Sequence, residues 1–550
     1  MTLGITLPLT FSFIDAMYAG VYRQMCRALG LRETYLARHR NYFQMLGYYH
    51  GRVYYNLLNW YRLLTLLPGA RYHRRHFNEM LGIGEQIGEA ELPPTGPVDL
   101  LRMVLAVVRL TWRFLLLPAH IRRFLARLRA VRKQADSVDL DALRLPELVE
   151  HYYQLEHLLL RHWVTPQFND FYCQTTTGLL KSAISRWLGE QHLALMHELL
   201  PVDESVESET AILSLQDLAT AIRNHTELLE TCRHGLARDL LPKLRADPVI
   251  SARFDDHIKR FGDRWQGELK LETVTPADNP QVLLDVLRNH VLALSTTRSG
   301  PGKSALHWTI SQLPLVQRLT LRTLAGLSRV LIANRENTRF ERTRVFGLVR
   351  RIFRAIGRRL AERGHFSAAD DIFYLTKDEV FDLIQGTAAD AQPGSTVRER
   401  RAAIEIWRSQ PALGRFRTQG LLAEYRAATG AQRTTMTGRV LTGTGASPGI
   451  VRSRVRLINS PGDLGEASGC IIVAESTDPG WSFIFPLISG ILVERGSMLS
   501  HAAIVAREMN IPAIVGIEGL MQGLHDNALV EIDGATGIVT VLDEANETER

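Results

Sequence analysis

At about residue 427 this 550-residue chain changes texture, and no single layer architecture accommodates both sides of the change. Up to about residue 425, apolar residues recur at helical spacing with Arg and Glu on the other faces, and strand-like alternation is scarce. Beyond residue 444 come short β-rich runs at 450–457, 469–474, 490–494, 513–516, 528–532 and 537–542, with one helical run at 500–509 among them. The stretch between, Ala427 to Thr444, is rich in Ala, Thr and Gly and reads as a linker. The fold class that follows is multidomain α + α/β. A large, mostly helical N-terminal domain is expected over 1–426, a hinge over 427–444, and a small C-terminal β/β/α domain over 445–543.

Composition narrows the partners only a little. A net charge of +7 suits phosphorylated ligands and anionic surfaces alike. None of the four cysteines forms a C-x-x-C pair. His192 and His197 are five apart, His151, His157 and His162 make no ligand spacing, and His73 and His76 sit in an Arg-rich turn, so no metal site is expected. There is no G-x-x-x-x-G-K-[ST] loop and no G-x-G-x-x-G after a strand, and no nucleic-acid partner is expected. No secretory signal is visible, and a cytoplasmic location is expected. Leu100 to Pro118 is strongly apolar, but Arg102, Arg109 and Arg113 interrupt it. It reads as an amphipathic helix lying on a domain core, the alternative being a peripheral membrane contact through residues 100–133.

The chemistry concentrates around His501. Ser489 to Glu494 reads as a buried strand, Gly496-Ser497 as the turn after it, and Ser500 as the N-cap of the helix that His501 opens. An imidazole in a first helical turn lies beside backbone N–H groups and the positive end of the helix dipole, which suits a bound phosphoryl group. A neutral imidazole is a competent nucleophile. Serine at 497 would carry a backbone cost if that position required a positive φ. Elsewhere, the helix carrying Arg335, Glu336, Arg339 and Arg342 is arginine-dense. Its three arginines share one face by spacing, the other reading being that they are solvated or paired with Glu336 and Glu341. Arg507 and Glu508 read as a structural helix-surface pair, the alternative being that they orient phosphate.

Five ordered pieces of the C-terminal region resemble the phosphohistidine swivelling domain of the phosphoenolpyruvate synthase and pyruvate phosphate dikinase family. They are Gly445 to Val451, Thr477-Asp478-Pro479-Gly480-Trp481, Glu494 through Glu508, Ile511 to Gly516, and Asp533 to Gly537. The family usually has two glycines where this chain has Gly496-Ser497. More weakly, Thr6 to Ser12, Gly51 to Asn56, Arg335 to Arg339 and Asp370 to Thr376 resemble segments of the same family's central, acceptor-holding domain. Residues 60–320 are poorly marked.

The resemblance implies that His501 is a phosphoryl carrier and that Thr477, Asp478 and Trp481 form a loop beside it, the alternative being a structural turn. It implies a chain resembling the acceptor-plus-carrier part of rifampicin phosphotransferase, or the carrier subunit of phenylphosphate synthase. ATP and Mg²⁺ would then be bound by an ATP-grasp-type partner subunit, with a small-molecule acceptor in the helical domain. The leading expectation is a phosphotransferase. The alternatives are a condensing, ligase-like enzyme that activates a carbonyl or carboxylate through phosphohistidine, and a non-catalytic regulatory protein that retains the fold.

Overall fold

A computed structural model describes residues 4–64, 97–158, 162–189, 199–200, 207–292, 310, 312–388, 392–410, 413, 416–417, 426–427, 440–458, 469–496 and 500–543. The chain divides into two compact units. The first joins residues 1–172, 269–273 and 341–431, and the second joins 173–268, 274–340 and 432–550.

The first unit is helical, with α1 (Pro8–Ala28), α2 (Pro97–Leu115), α3 (Leu117–Asp136), α4 (Leu145–Leu158) and the start of α5 (Val164–Leu188). Pro8 opens α1, where its missing N–H costs nothing. Glu272 accepts the Leu7 N–H at 2.9 Å and the Thr10 hydroxyl, so the family-like Thr6 to Ser12 segment is a built helix start. Aromatic rings fill the core, with Phe13 set edge-on to Phe346 and Tyr152 packed on Phe353 and Phe381. A hairpin, β1 (Leu46–Tyr49) and β2 (Arg52–Tyr55), interrupts the helices. Gly51 sits in its turn at φ +67°, which is why the Gly51 to Asn56 motif begins with glycine. A two-residue pair, β3 (Phe416–Arg417) with β4 (Arg426–Ala427), lies near the end of this unit.

The second unit holds a helical cluster and a sheet. The cluster uses α6 (Glu207–Arg223), α7 (Pro248–Phe261), α8 (Leu284–Leu292) and the first half of α9 (Leu315–Glu362). The 48-residue α9 runs from this unit into the other, which takes over at Glu341. The sheet has eight strands: β5 (Val440–Thr442), β6 (Thr444–Ser447), β7 (Ile450–Leu457), β8 (Ile471–Ala474), β9 (Gly490–Val493), β10 (Ala513–Val515), β11 (Leu529–Asp533) and β12 (Ile538–Asp543). Their order is β5-β12-β11-β7-β8-β9-β10-β6, parallel from β7 through β10 and antiparallel elsewhere. Alternation along each strand sends Ile472, Ala474, Ile491 and Val493 to one face and Ile471, Val473 and Leu492 to the other. Both faces are covered, so the middle strands read as unbroken apolar runs. The helix α10 (His501–Glu508) packs on the first face through Ala502, Ala503, Val505 and Ala506.

Two sequence expectations change. Part of the stretch read as a hinge is sheet, since Val440–Thr442 and Thr444–Ser447 are edge strands, and 428–439 lies outside the described residues. The α2 helix does not turn its apolar side to a core. Ala106 and Leu110 are buried, while Val104, Val108, Trp112 and Leu115 face solvent. Ser497, His73, His76, His192 and His197 lie outside the described residues.

Candidate active site

Helix α10 begins where the sequence places it. The Ser500 hydroxyl accepts the Ala503 N–H, and His501 occupies the first helical position. Gly496 is exposed, with backbone φ outside the left-handed region. The His501 ring is buried, the residue being only 6% exposed. Its Nδ1 lies 3.4 Å from Glu336 Oε2, and its Nε2 lies 2.8 Å from Ser482 Oγ.

The carboxylate settles the tautomer. Burial would raise the Glu336 carboxyl, but the Arg339 charge, the His501 hydrogen bond and the Arg335 charge override it and hold the group below the usual carboxylate range. An ionised carboxylate only accepts, so Nδ1 carries the proton and donates to Glu336. Nε2 is then left with its lone pair, and Ser482 donates its hydroxyl to it. Burial pushes the His501 pKa down. The Glu336 hydrogen bond works against that push, and the charges of Arg264 and Arg339 add to it. The net direction is down, which keeps the imidazole neutral at neutral pH and nucleophilic at Nε2.

Two guanidinium groups border this ring. Arg339 Nη1 pairs with Glu336 Oε1 at 3.2 Å. Arg264, only 1% exposed, stacks on the Phe340 ring with 5.0 Å between guanidinium carbon and centroid. Both charges act on the ring, each lowering the His501 pKa. Among the described residues no three His, Cys, Asp or Glu side chains converge as a cation site.

The loop Thr477 to Trp481 has a structural task. Asp478 Oδ1 accepts the Gly480 N–H, capping a 3-10 segment over Pro479–Leu487, and Oδ2 accepts the Gly267 N–H at 2.7 Å. Gly480 lies so close to the Trp265–Gln266 backbone that a Cβ would sit 2.2 Å from the Gln266 nitrogen. Trp481 is buried among Ile472, Val493 and Ala502 in the core below α10. Thr477 is half-buried. The next two residues point into different clusters. Ser482 reaches His501, while Phe483 enters the helical cluster beside Phe340 and takes a hydrogen bond from His290 at 2.6 Å through its carbonyl. Arg507 Nε donates to the Ala446 carbonyl at 3.1 Å, tying α10 to β6. Of the residues singled out on α9, Arg335, Glu336 and Arg339 gather with His501, whereas Arg342 belongs to the other unit. The sequence reading did not single out Arg264 or Ser482. Adjacency to the Thr477 to Trp481 loop was the available signal for Ser482; nothing local marks Arg264.

Residues 466–537 match the mobile domain of PEP-utilising enzymes, and residues 169–336 match the fourth domain of rifampicin phosphotransferase. Most of the second match falls in the region that carried few motifs, and the two together contain Arg264, Glu336, Ser482 and His501. The rifampicin phosphotransferase of Streptomyces sviceus is 28% identical over 383 residues, 66% of this chain and 43% of its own length. An uncharacterised protein of Mycobacterium tuberculosis is 30% identical over 62% of this chain and 37% of its own length. The prodigiosin synthesizing transferase of Serratia marcescens is 22% identical over 98% of this chain and 62% of its own length. This chain therefore spans less than half the length of the rifampicin phosphotransferases it matches.

Proposed function

On the premise that this chain belongs to the PEP-utilising enzyme family, with a rifampicin phosphotransferase-like layout, we propose that it carries a phosphoryl group on His501 Nε2 and passes it to an organic acceptor held by the helical region. The observation that carries this reading is the pairing of a neutral, tautomerically fixed His501 with Glu336, flanked by Arg264 and Arg339.

In the loading step Nε2 forms a bond to the incoming phosphorus and the donor's leaving oxygen departs with its electron pair. In the delivery step an acceptor oxygen forms the new P–O bond, the P–N bond breaks, and its electron pair returns to Nε2. The proton of an acceptor hydroxyl leaves to solvent or to the ring. In the delivery step, with the small domain against the helical cluster, Glu336 holds Nδ1–H, so the ring leaves as neutral imidazole rather than as an anion. Arg264 and Arg339 offset the phosphoryl charge.

The donor is proposed to be ATP with Mg²⁺ on an ATP-grasp-type partner. His501 is buried, and Ser482 covers Nε2 in the arrangement described, so loading requires the small domain to leave the helical cluster.

A second reading has its own support. The relative that aligns with nearly all of this chain is named a synthesizing transferase, not a phosphotransferase. On that reading the phosphorylated acceptor is condensed with a second molecule and phosphate is released. The test is to incubate the chain with an active ATP-grasp partner and ATP labelled at either the β or the γ phosphate. Acid-labile label on His501, absent in His501→Ala, supports the carrier role, and label that persists in His501→Ala defeats it. With acceptor present, label retained in the product separates transfer from condensation, in which the label ends as inorganic phosphate.

A further inference from the structure

Helix α2 is reversed relative to an ordinary surface helix. Two of its arginines meet its own unit: Arg109 donates to the Leu29 carbonyl at 3.1 Å, and Arg113 stacks on the Phe168 ring at 4.9 Å. Its large apolar side chains point outward instead. Val104, Val108 and Trp112 lie four apart on one ridge, Leu115 extends it, and Val108, Trp112 and Leu115 are 59%, 64% and 64% exposed. Contiguous apolar exposure of this kind marks an interaction site rather than an incidental surface.

One residue beyond α2 the chain bends by 63° into α3, where Pro118 sits in the first turn. Helix α3 has the ordinary polarity. Ile121, Phe124 and Leu128 are buried, and Arg122, Arg123, Arg127, Arg129 and Lys133 are exposed. Among the described residues none of these five cations has a carboxylate partner, and residues 100–135 contain no Asp or Glu at all. Among the described residues no single helix is long and apolar enough to cross a membrane, although α2 and α3 reach that length and hydropathy together as a bent pair.

We propose that α2 and α3 form a docking surface for an anionic lipid bilayer, with the α2 ridge inserted at the acyl boundary and the α3 cations on the headgroups. The observations favour lipid over a protein partner for two reasons. The ridge of Val104, Val108, Trp112 and Leu115 itself offers one side-chain hydrogen-bonding group, the Trp112 indole N–H, whereas protein interfaces carry a polar rim of directional bonds. The surrounding charge is of one sign and unpartnered, which complements a sheet of phosphates. Trp112 near the end of the ridge is the residue type that settles at headgroup depth. This surface is independent of the His501 chemistry.

The test is co-sedimentation of the full chain with vesicles of phosphatidylcholine alone and of phosphatidylcholine containing phosphatidylglycerol. Binding is expected only to the anionic vesicles and is expected to weaken with salt. Each arginine of α3 removed should cost about fivefold, so Arg122→Gln with Arg127→Gln should cost roughly 25-fold. Trp112→Ser and Val108→Asp change exposed positions and are expected to abolish sedimentation while leaving the thermal melt unchanged. Absence of binding to anionic vesicles overturns the proposal. So does binding that ignores both lipid charge and these substitutions. Self-association of the chain that Trp112→Ser disperses, without vesicle binding, would make the ridge a protein interface and also overturn it.

Discussion

His501 and His290 are both buried histidines of the second unit, and consecutive residues of one 3-10 segment touch them, Ser482 the first and Phe483 the second. Burial pushes the pKa of each imidazole down, so burial alone does not distinguish them. What distinguishes them is the second partner. At His501 a carboxylate takes the Nδ1 proton and leaves Nε2 with a lone pair. At His290 the Phe483 carbonyl takes the Nε2 proton, and the ring serves as an anchor for the loop. His257 belongs with the anchors, bonded to Ser214 at 3.0 Å and lying edge-on to Phe483. A nucleophile and a structural pin thus differ by which nitrogen is occupied and by the charge of the occupant.

The largest test of this contrast is Glu336→Gln. The amide cannot hold Nδ1–H as an ionised acceptor in the docked arrangement, so the rate at which phospho-His501 gives up its phosphoryl group should fall by about 10²- to 10⁴-fold. Phosphoramidate is a suitable donor because it needs no partner protein. Losing the carboxylate also removes two influences that raise the His501 pKa, so the pH profile above 6.5 should keep its shape while its amplitude drops. An unchanged rate would mean that Glu336 only pairs with Arg339.

Acid separates the anchors. His257 and His290 are pushed down to about 4, by burial first and, for His257, by the neighbouring His290 charge next. The unfolded chain takes up these protons near pH 6.5 and the folded chain only near pH 4. The unfolded state therefore binds more protons in that window, and stability falls as pH drops through it. A shift of this size corresponds to about 3 kcal/mol for a single histidine. Urea midpoints from pH 7.5 to 4.5 should show a shallower decline in His290→Gln than in the unsubstituted chain; identical slopes would remove His290 from the account.

Gly480→Ala probes the segment that serves both histidines. Its methyl would meet the Trp265–Gln266 backbone, which cannot withdraw as a side-chain tip can. A loss of roughly 1–3 kcal/mol in denaturant unfolding is expected. The smallest effect belongs to Ser482→Ala. Without the hydroxyl the Nε2 lone pair is uncovered, and phosphoramidate labelling should speed up by about fivefold at most. A large decrease would instead make Ser482 a group that assists transfer.

Several features of the site could be read locally. The strand at Gly490–Val493, the Ser500 cap, the helix behind His501 and the turn chemistry of Asp478-Pro479-Gly480 all follow from short-range pattern. The arginine-rich stretch of α9 was visible too, but not the division that places Glu336 with His501 and leaves Arg342 in the other unit. Trp481 could be read either as part of a functional loop or as part of a structural turn, and the structure buries it in the core with Ile472 and Ala502.

The sequence by itself determined the two textures of this chain, the existence of the short core strands and the position of His501 at a helix start, because periodicity and capping act over a few residues. Tertiary structure alone decided what surrounds the ring. Glu336 meets it across 165 positions of chain, and Arg264 and Ser482 complete its environment from two further segments. Tertiary structure also decided that α2 shows its apolar ridge to solvent, since hydropathy records which residues are apolar but not which side of a helix finds a neighbour. Contacts between distant segments depend on how whole elements pack, and no local pattern encodes that.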